Sequence, residues 1–426
     1  MNILFLSHYF PPEVNAPASR AYEHCKEWVR LGHKVTVITS APNHPKGKVY
    51  AGYKNKLYQK EMVDGIEVIR IWTYLSANEG FGKRALNYFS YFISVVVLSI
   101  FMLSRKDIVL STSPQFFNGL AGYPVSKILK AVWVLEIRDL WPESILAVGA
   151  MKNKKIISIL YAIEKFMYKK ADYIIPVTDA FNTYISKIIY PYRKTCVINN
   201  AVNNDFFNPK SVDIEALTEF KQYYALENKF VISYVGTHGM AHGLKTLLNA
   251  AKVLRNRKDI IFLLIGDGAE KNALKKIKKE LSLDNVLMLP QLPKDKMPMV
   301  LGASDISIVH LKRDKAFEKV IPSKLFESMA MGKPVILGVK GEAAKIINQS
   351  RSGVCIEPEN HLQMANAILA LKRDVAGYRK MSNAGMNYVR CNYDRRKLAQ
   401  DYLNVLSKLV IHSDNPDAEY LNVSNQ

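Results

Sequence analysis

NILFLSHYFPPEVNAPASRAYEHCKEWVRLGHKVTVITS, residues 2–40, carries the first turn of the pattern that decides the fold. NILFLS reads as a buried strand, AYEHCKEWVRLG (21–32) as a helix and KVTVITS (34–40) as the next strand. Gly32 ends the helix and His33-Lys34 lead straight into the strand, a connection as short as those of βαβ units.

Working outward, strand-like runs recur at 66–72, 107–112, 131–137, 173–177 and 195–198. Such alternation with helices implies a parallel sheet covered on both faces. From 199 to 228 the texture turns polar, with Asn and Pro clusters that read as a connector. A second series then begins: FVISYVG (230–236), DIIFLLIGDG (259–268), NVLMLPQL (285–292), DISIVHL (305–311), KPVILGV (333–339) and SGVCIE (352–357). The expected class is α/β, with two doubly wound, Rossmann-like domains. Ligands of such sheets bind beyond the carboxyl ends of the strands, and two domains in series are expected to face across a cleft. A helical region follows from about 361 to 409, and the polar residues after His412 read as a loose tail.

The 426 residues are 49% hydrophobic, which excludes wholesale disorder and favours two or three domains. Lys and Arg number 59 against 38 Asp and Glu, a net charge of +21 that favours anionic partners: nucleic acid, phosphorylated ligands or an acidic membrane surface. Cys25, Cys196, Cys355 and Cys391 are too dispersed for a zinc or redox motif. The first apolar run is short and lacks a basic start, so no export signal is read and the cytoplasm is the expected compartment.

LNYFSYFISVVVLSIFML, residues 86–103, is uncharged and flanked by Lys83-Arg84 and Arg105-Lys106. Its length allows a membrane span. A crossing would strand the flanking strands on opposite sides of the bilayer, so a buried crossover helix or a helix dipping into a membrane surface are the competing expectations.

Three loops of the second series carry candidate chemistry. After ISYV, Gly236-Thr237-His238-Gly239-Met240-Ala241-His242-Gly243 feeds a helix near Lys245, an arrangement whose free N–H groups suit a pyrophosphate. His238 and His242 stand four apart, but the glycine between them argues against a zinc helix. Gly266-Asp267-Gly268 allows close backbone approach, and LPQLP (289–293) offers backbone to the edge of a base. Both also suit ordinary loops. VIPSKLFESMAMGKPVI (320–336) reads as a helix with Pro322 in its first turn and Gly332 after its last, and places one carboxylate, Glu327, among small and apolar residues.

In that order and spacing, YVGTHGMAHGLKTLLNAA, LLIGDGAEKNALK, NVLMLPQLPKDKMPMVLGASDISIVHL and PSKLFESMAMGKPVI resemble the nucleotide-sugar-binding domain of retaining glycosyltransferases of family four, which have the GT-B fold. The first half resembles their amino-terminal signature, and RDLWPES (138–144) resembles a bacterial subgroup similar to WbuB. The resemblance implies an amino-terminal acceptor-side domain at 1–200, a nucleotide-sugar-binding domain at 201–385, a helix at 386–410 that could cross back to the first domain, and a polar tail at 411–426.

The resemblance also assigns roles. Glu327 matches the family's second glutamate, which binds the ribose hydroxyls; an ionised carboxylate can accept two hydroxyl protons at once. The first family glutamate falls on Lys319, with Glu318 one residue away. The arginine and lysine that many members use against the phosphates are replaced by Thr237 and His242, so Lys324 and the glycine-loop amides are expected to supply that charge. The donor side thus comprises Glu327, Lys324, Ser323, Lys319, Gly236, Thr237, His242, Gly266, Gln291 and Leu292. In the first domain, Ser19 and Arg20 could meet phosphate at the helix start, or Arg20 only pairs with a surface carboxylate. Arg138 and Asp139 are the catalytic candidates; Asp139 would contact the acceptor hydroxyl or the anomeric centre, unless it serves only as a helix-start acid.

The implied activity is transfer of a sugar, an N-acetylated amino sugar in particular, from a UDP-sugar to a lipid-diphosphate-linked glycan, with retention, in O-antigen or capsule assembly. The enzyme would be peripheral at the inner membrane face. No cofactor and no metal are expected, since the chain has no Asp-any-Asp pair to hold a metal on the diphosphate. A GT-B nucleotide-sugar epimerase is the alternative, and a basic nucleic-acid-binding protein a lesser one, given charge dispersed over strand-helix units.

Overall fold

The computed structural model describes every residue except 45, 77–80, 150, 193 and 415–426. The part of the expected polar tail from 415 onward lies outside the described residues. The chain divides into two compact units, Met1–Asn200 with the chain from Arg395, and Ala201–Asp394.

In the first unit the order is β1 (Asn2–Leu6), α1 (Ala16–Arg30), β2 (Lys34–Ser40), β3 (Tyr58–Val63), β4 (Ile66–Ile71), α2 (Phe81–Met102), β5 (Ile108–Ser113), α3 (Phe116–Leu129), β6 (Val132–Ile137), α4 (Glu143–Ala147), α5 (Lys154–Lys170), β7 (Tyr173–Pro176) and α6 (Asp179–Ile189). The sheet runs β3-β4-β2-β1-β5-β6-β7. Pairing is parallel from β4 through β7, and β5 is buried along its whole length, as a strand covered on both faces must be.

Two features differ from the sequence-based expectation. Residues 58–63, which alternate exposed and half-buried, form an antiparallel edge strand on β4. The run expected as a strand at 195–198 contributes only an isolated bridge, Thr195 to Ile174, with one further backbone hydrogen bond to that edge, from Ile198 to the Pro176 carbonyl.

Helix α2 connects the parallel β4 and β5 as a crossover. Tyr91, Val95 and Leu98 turn onto the sheet and pack with Ala121, Val125 and Leu129 of α3, while the opposite face is exposed. Its Val-rich middle has strand propensity by composition, but burial of one helical stripe overrides it. Among the described residues, no helix is long and apolar enough to cross a membrane.

The second unit continues with α7 (Ile214–Tyr223), β8 (Phe230–Val235), α8 (Lys245–Val253), β9 (Ile260–Ile265), α9 (Lys271–Glu280), β10 (Val286–Leu289), α10 (Met297–Gly302), β11 (Ile306–His310), α11 (Lys324–Ala330), β12 (Val335–Gly338), α12 (Glu342–Ser350), β13 (Gly353–Cys355), α13 (His361–Arg373) and α14 (Val375–Asn392). Its sheet is parallel throughout, in the order β10-β9-β8-β11-β12-β13. Strand order therefore reverses at β8.

The boundary expected at 385/386 falls inside α14, whose residues Gly385 and Val389 are buried. The division lies at Asp394/Arg395, and α15 (Arg395–Asp414) belongs to the first unit. There Tyr402, Leu403 and Leu406 join the core beside Trp28 of α1, and the Trp28 indole N–H donates to the Ala399 carbonyl at 2.9 Å. Periodicity marks 386–410 as helical but does not reveal which sheet will cover its apolar side.

Candidate functional site

In the second unit, the carboxyl end of β8 is the point where strand order reverses, and the glycine-bearing loops converge there. Gly236 and Gly266 follow β8 and β9 and touch through their backbones: a Cβ on Gly266, at φ +148°, would lie 1.8 Å from the Gly236 carbonyl oxygen. The loops are then laced together, His238 N–H donating to the Asp267 carbonyl at 2.8 Å and Glu270 N–H to the His238 carbonyl at 2.9 Å. Lys271 adds a tie that sequence reading missed. Its buried ammonium donates to the carbonyls of Gly266 and Leu289, joining the second loop to the start of LPQLP. On that third loop Gln291 is exposed and Leu292 packs partly into the core.

Helix α11 starts beside these loops. Gly332, at φ +64°, terminates it, with Lys333 N–H reaching back to the Ser328 carbonyl at 2.9 Å. Ser323 precedes the helix, half-buried, and its side chain makes no capping bond. Lys324 extends from the first turn to β8. Its Nζ donates to the Tyr234 hydroxyl at 2.8 Å, lies 3.9 Å from that ring's centroid, and sits where a Gly236 Cβ would come within 2.9 Å. Tyr234 in turn donates to the Thr237 carbonyl at 2.8 Å.

Burial drives the Lys324 ammonium down to about 7, with the Glu327 carboxylate one turn along the helix opposing the shift. Glu327 is half-buried. Thus Lys324, Glu327 and Gly236 occupy one site with Thr237 and His242 on the same loop.

Three histidines surround that site. Burial lowers His238 to about 4, lowers His242 well below its ordinary value, and lowers His310 as well. All three are neutral near pH 7. His310, at the end of β11, has its ring fixed from both sides: Nδ1 donates to the His242 carbonyl at 2.7 Å and Nε2 accepts the Glu359 N–H at 2.9 Å. Sequence reading missed His310 and Tyr234 because strand residues carry no loop signal. A polar residue closing an apolar strand directly before a loop was the available clue.

Lys319 and Glu318 sit in a short turn ahead of α11, Glu318 exposed and Lys319 half-buried. Gly341, at φ +72°, packs against the Glu318 carbonyl, where a Cβ would be 2.0 Å away. Among the described residues, no group of three or more His, Cys, Asp or Glu side chains could hold a metal ion.

The first unit treats its candidates differently. Arg20, read as a phosphate ligand, is buried in an ion pair with Glu136 at 2.8 Å. It also donates to the carbonyls of Ile198 and Asn199 and to the Asn200 side chain. Burial alone would raise the Glu136 carboxyl, but Arg20 and Arg138 outweigh it and hold the group below its usual range. Of the two readings of Arg20, pairing with a carboxylate is the one seen, and that carboxylate is buried rather than on the surface. The guanidinium compensates a carboxylate that β6 has carried into the interior. Ser19, beside it, is half-buried.

Arg138 and Asp139 follow β6. Burial lowers Arg138 to about 10, Glu136 opposing, and its Nε has no hydrogen-bond partner among the described residues. Burial raises Asp139 to about 6, although Ser144 and the Leu140 backbone N–H pull it back. Upstream, in the loop after β1, Glu13 was missed. It is buried, accepts the N–H groups of Asn43 and His44 at 2.9 and 2.8 Å, and is pushed by burial to about 7.

Comparison with known proteins accounts for both units. Residues 15–201 match the glycosyl transferase 4-like domain, and residues 217–388 match the glycosyl transferases group 1 family. WcaI of Escherichia coli (strain K12), named as a colanic acid biosynthesis glycosyl transferase, is 25% identical over 419 residues, covering 95% of this chain and 99% of its own. The glycosyltransferase WbjE of Pseudomonas aeruginosa is 27% identical over 270 residues, 62% of this chain and 66% of its own. Among solved structures, Anabaena HepE in complex with UDP-glucose superimposes with a TM-score of 0.71 at 16% identity, over 96% of this chain and 100% of that one. With both units matched in order, the chain is a glycosyltransferase that carries a glycosyl transferase 4-like domain in its first unit and a glycosyl transferases group 1 domain in its second, and its fold is GT-B.

Proposed function

We propose that this glycosyltransferase moves a sugar, an N-acetylated amino sugar in particular, from a UDP-sugar to a lipid-diphosphate-linked glycan at the inner membrane face, with retention, in assembly of an O-antigen or capsule. The observation that carries the donor half is Lys324, held against Gly236 where the glycine loops meet. A diphosphate lying there would meet that ammonium and loop N–H groups, which suits the charge that develops as the diphosphate leaves. Glu327, one helical turn away, would accept the ribose hydroxyls. The relatives support the assignment: HepE holds UDP-glucose, and WcaI is named for a polysaccharide pathway.

In the first unit, Asp139 is the residue we assign to the acceptor hydroxyl or anomeric centre, with Arg138 beside it. Retention would follow from attack on the face the diphosphate leaves, the departing phosphate taking the hydroxyl proton. Lys324 and the loop amides would carry the leaving-group charge without a metal or cofactor. RDLWPES supports placement in a WbuB-like subgroup. The test combines UDP titration with transfer from UDP-N-acetylated amino sugars to a lipid-diphosphate acceptor. Lys324→Ala is expected to raise the apparent donor KM at least tenfold with the fold intact; an unchanged KM rejects the site.

A further inference from the structure

Helices α2, α3 and α5 pack side by side on the first sheet, and their outer surface combines exposed apolar side chains with positive charge. On α2, Leu86, Phe89, Ile93, Val97, Ile100 and Phe101 recur at helical spacing and are 45–78% exposed, Phe101 most. This stripe lies opposite the Tyr91, Val95 and Leu98 stripe that grips the sheet. Helix α3 continues the surface, Phe117 meeting Phe89 at 5.7 Å between ring centroids and Tyr123 meeting Phe166 of α5 at 5.1 Å. On α5, Ile156 and Ile159 are exposed among Lys154, Lys155, Lys165, Lys169 and Lys170.

The charge on this layer has one sign. Helices α2 and α3 contain no acidic residue, and the single acid of α5, Glu164, is buried and bonded to the hydroxyls of Tyr168 and Tyr184. Every exposed charge on the three helices is therefore positive. An apolar stripe beside an all-cationic face matches a surface with anionic headgroups above acyl chains, and matches a protein partner or duplex nucleic acid poorly.

We propose that the outer face of α2, α3 and α5 docks flat on an anionic lipid bilayer, the α2 stripe entering the headgroup boundary while the α5 lysines pair with lipid phosphates. This deepens the membrane-facing part of the proposed function by naming the docking surface and the lipid class. Helix α2 lies along the interface rather than across the bilayer, since half of it is committed to the sheet.

The test is co-sedimentation of the full chain with phosphatidylcholine vesicles and with vesicles containing one-third phosphatidylglycerol. Binding is expected to the anionic vesicles only and to weaken as salt rises. Since each lysine near such a surface contributes roughly a fivefold factor, Lys154→Glu, Lys155→Glu and Lys165→Glu together should lower the partition at least tenfold. Ile93→Ser, Val97→Ser and Ile100→Ser together should lower it similarly without changing the thermal shift given by UDP. The proposal is overturned if the parent ignores both vesicles, if neither variant changes binding, or if the serine variant only converts a dimer to a monomer, which would mean that a second copy covers the stripe. A parent that binds anionic vesicles but shows no UDP thermal shift would keep the docking surface and reject the transferase site.

Discussion

The strand ends of the two units contrast at one kind of residue. Arg20, in the second turn of α1, and Lys324, the first residue of α11, are both helix cations, and both read from the sequence as candidate phosphate ligands. In the first unit β6 delivers Glu136 into the interior, and Arg20 is consumed in compensating it. In the second unit β8 brings the Tyr234 hydroxyl and ring and the backbone of Gly236 to Lys324, and no ion pair holds it among the described residues, so its charge sits in a partly dry setting with Glu327 one turn along the helix. A cation is available to a ligand only where the fold has not already supplied a buried carboxylate.

The sharpest way to break the contrast is Arg20→Ala. If the pair is structural, removing one partner strands Glu136 and should destabilise the protein by about 3–5 kcal/mol in urea unfolding, whereas Lys324→Ala should shift stability by less than about 1 kcal/mol. Equal effects would erase the distinction. Next in size is Gly266→Ala, which puts a Cβ into the Gly236 carbonyl at a φ that L-residues avoid. It should cost about 2–3 kcal/mol and abolish the UDP thermal shift. Gly32→Ala, at φ +86° with nothing within 4 Å, should cost only about 1 kcal/mol and leave UDP binding intact.

A smaller effect tests the buried acids of the first unit. Glu13 holds its proton up to about 7 in the folded state, against 4.5 when free. The native state therefore binds more protons than the unfolded chain between those values, and stability falls as pH rises through that window. On the order of 2 kcal/mol should be lost between pH 5 and 8, and Glu13→Gln should flatten that slope in thermal melts. The smallest effect sharpens the other side. With Lys324 titrating near 7, a bound diphosphate must keep it charged, so UDP affinity should fall with rising pH, by up to about tenfold per unit above 7. Calorimetric titrations should show this slope in the parent and lose it in Lys324→Ala.

Much of the architecture was legible because strands buried on both faces read as continuous apolar runs, and glycines mark where backbones must touch. The edge strand 58–63 was not, because a strand with one partner needs no apolar run. Within the site, Lys324, Glu327, Gly236 and Gly266 were readable from their loop and helix-start positions. Tyr234, His310 and Lys271 were not, because their roles come from neighbours on other strands.

By itself the sequence determined what short-range chemistry enforces: the alternation of strand and helix, the glycine turns at strand ends, the helix that begins at Pro-Ser-Lys, and the surplus of positive charge. Tertiary structure decided which cation stays available, which face of the uncharged run at 86–103 is left uncovered, and that α15 covers the first unit. Each of these depends on which side chains from distant segments meet, and local spacing carries no information about a partner a hundred residues away.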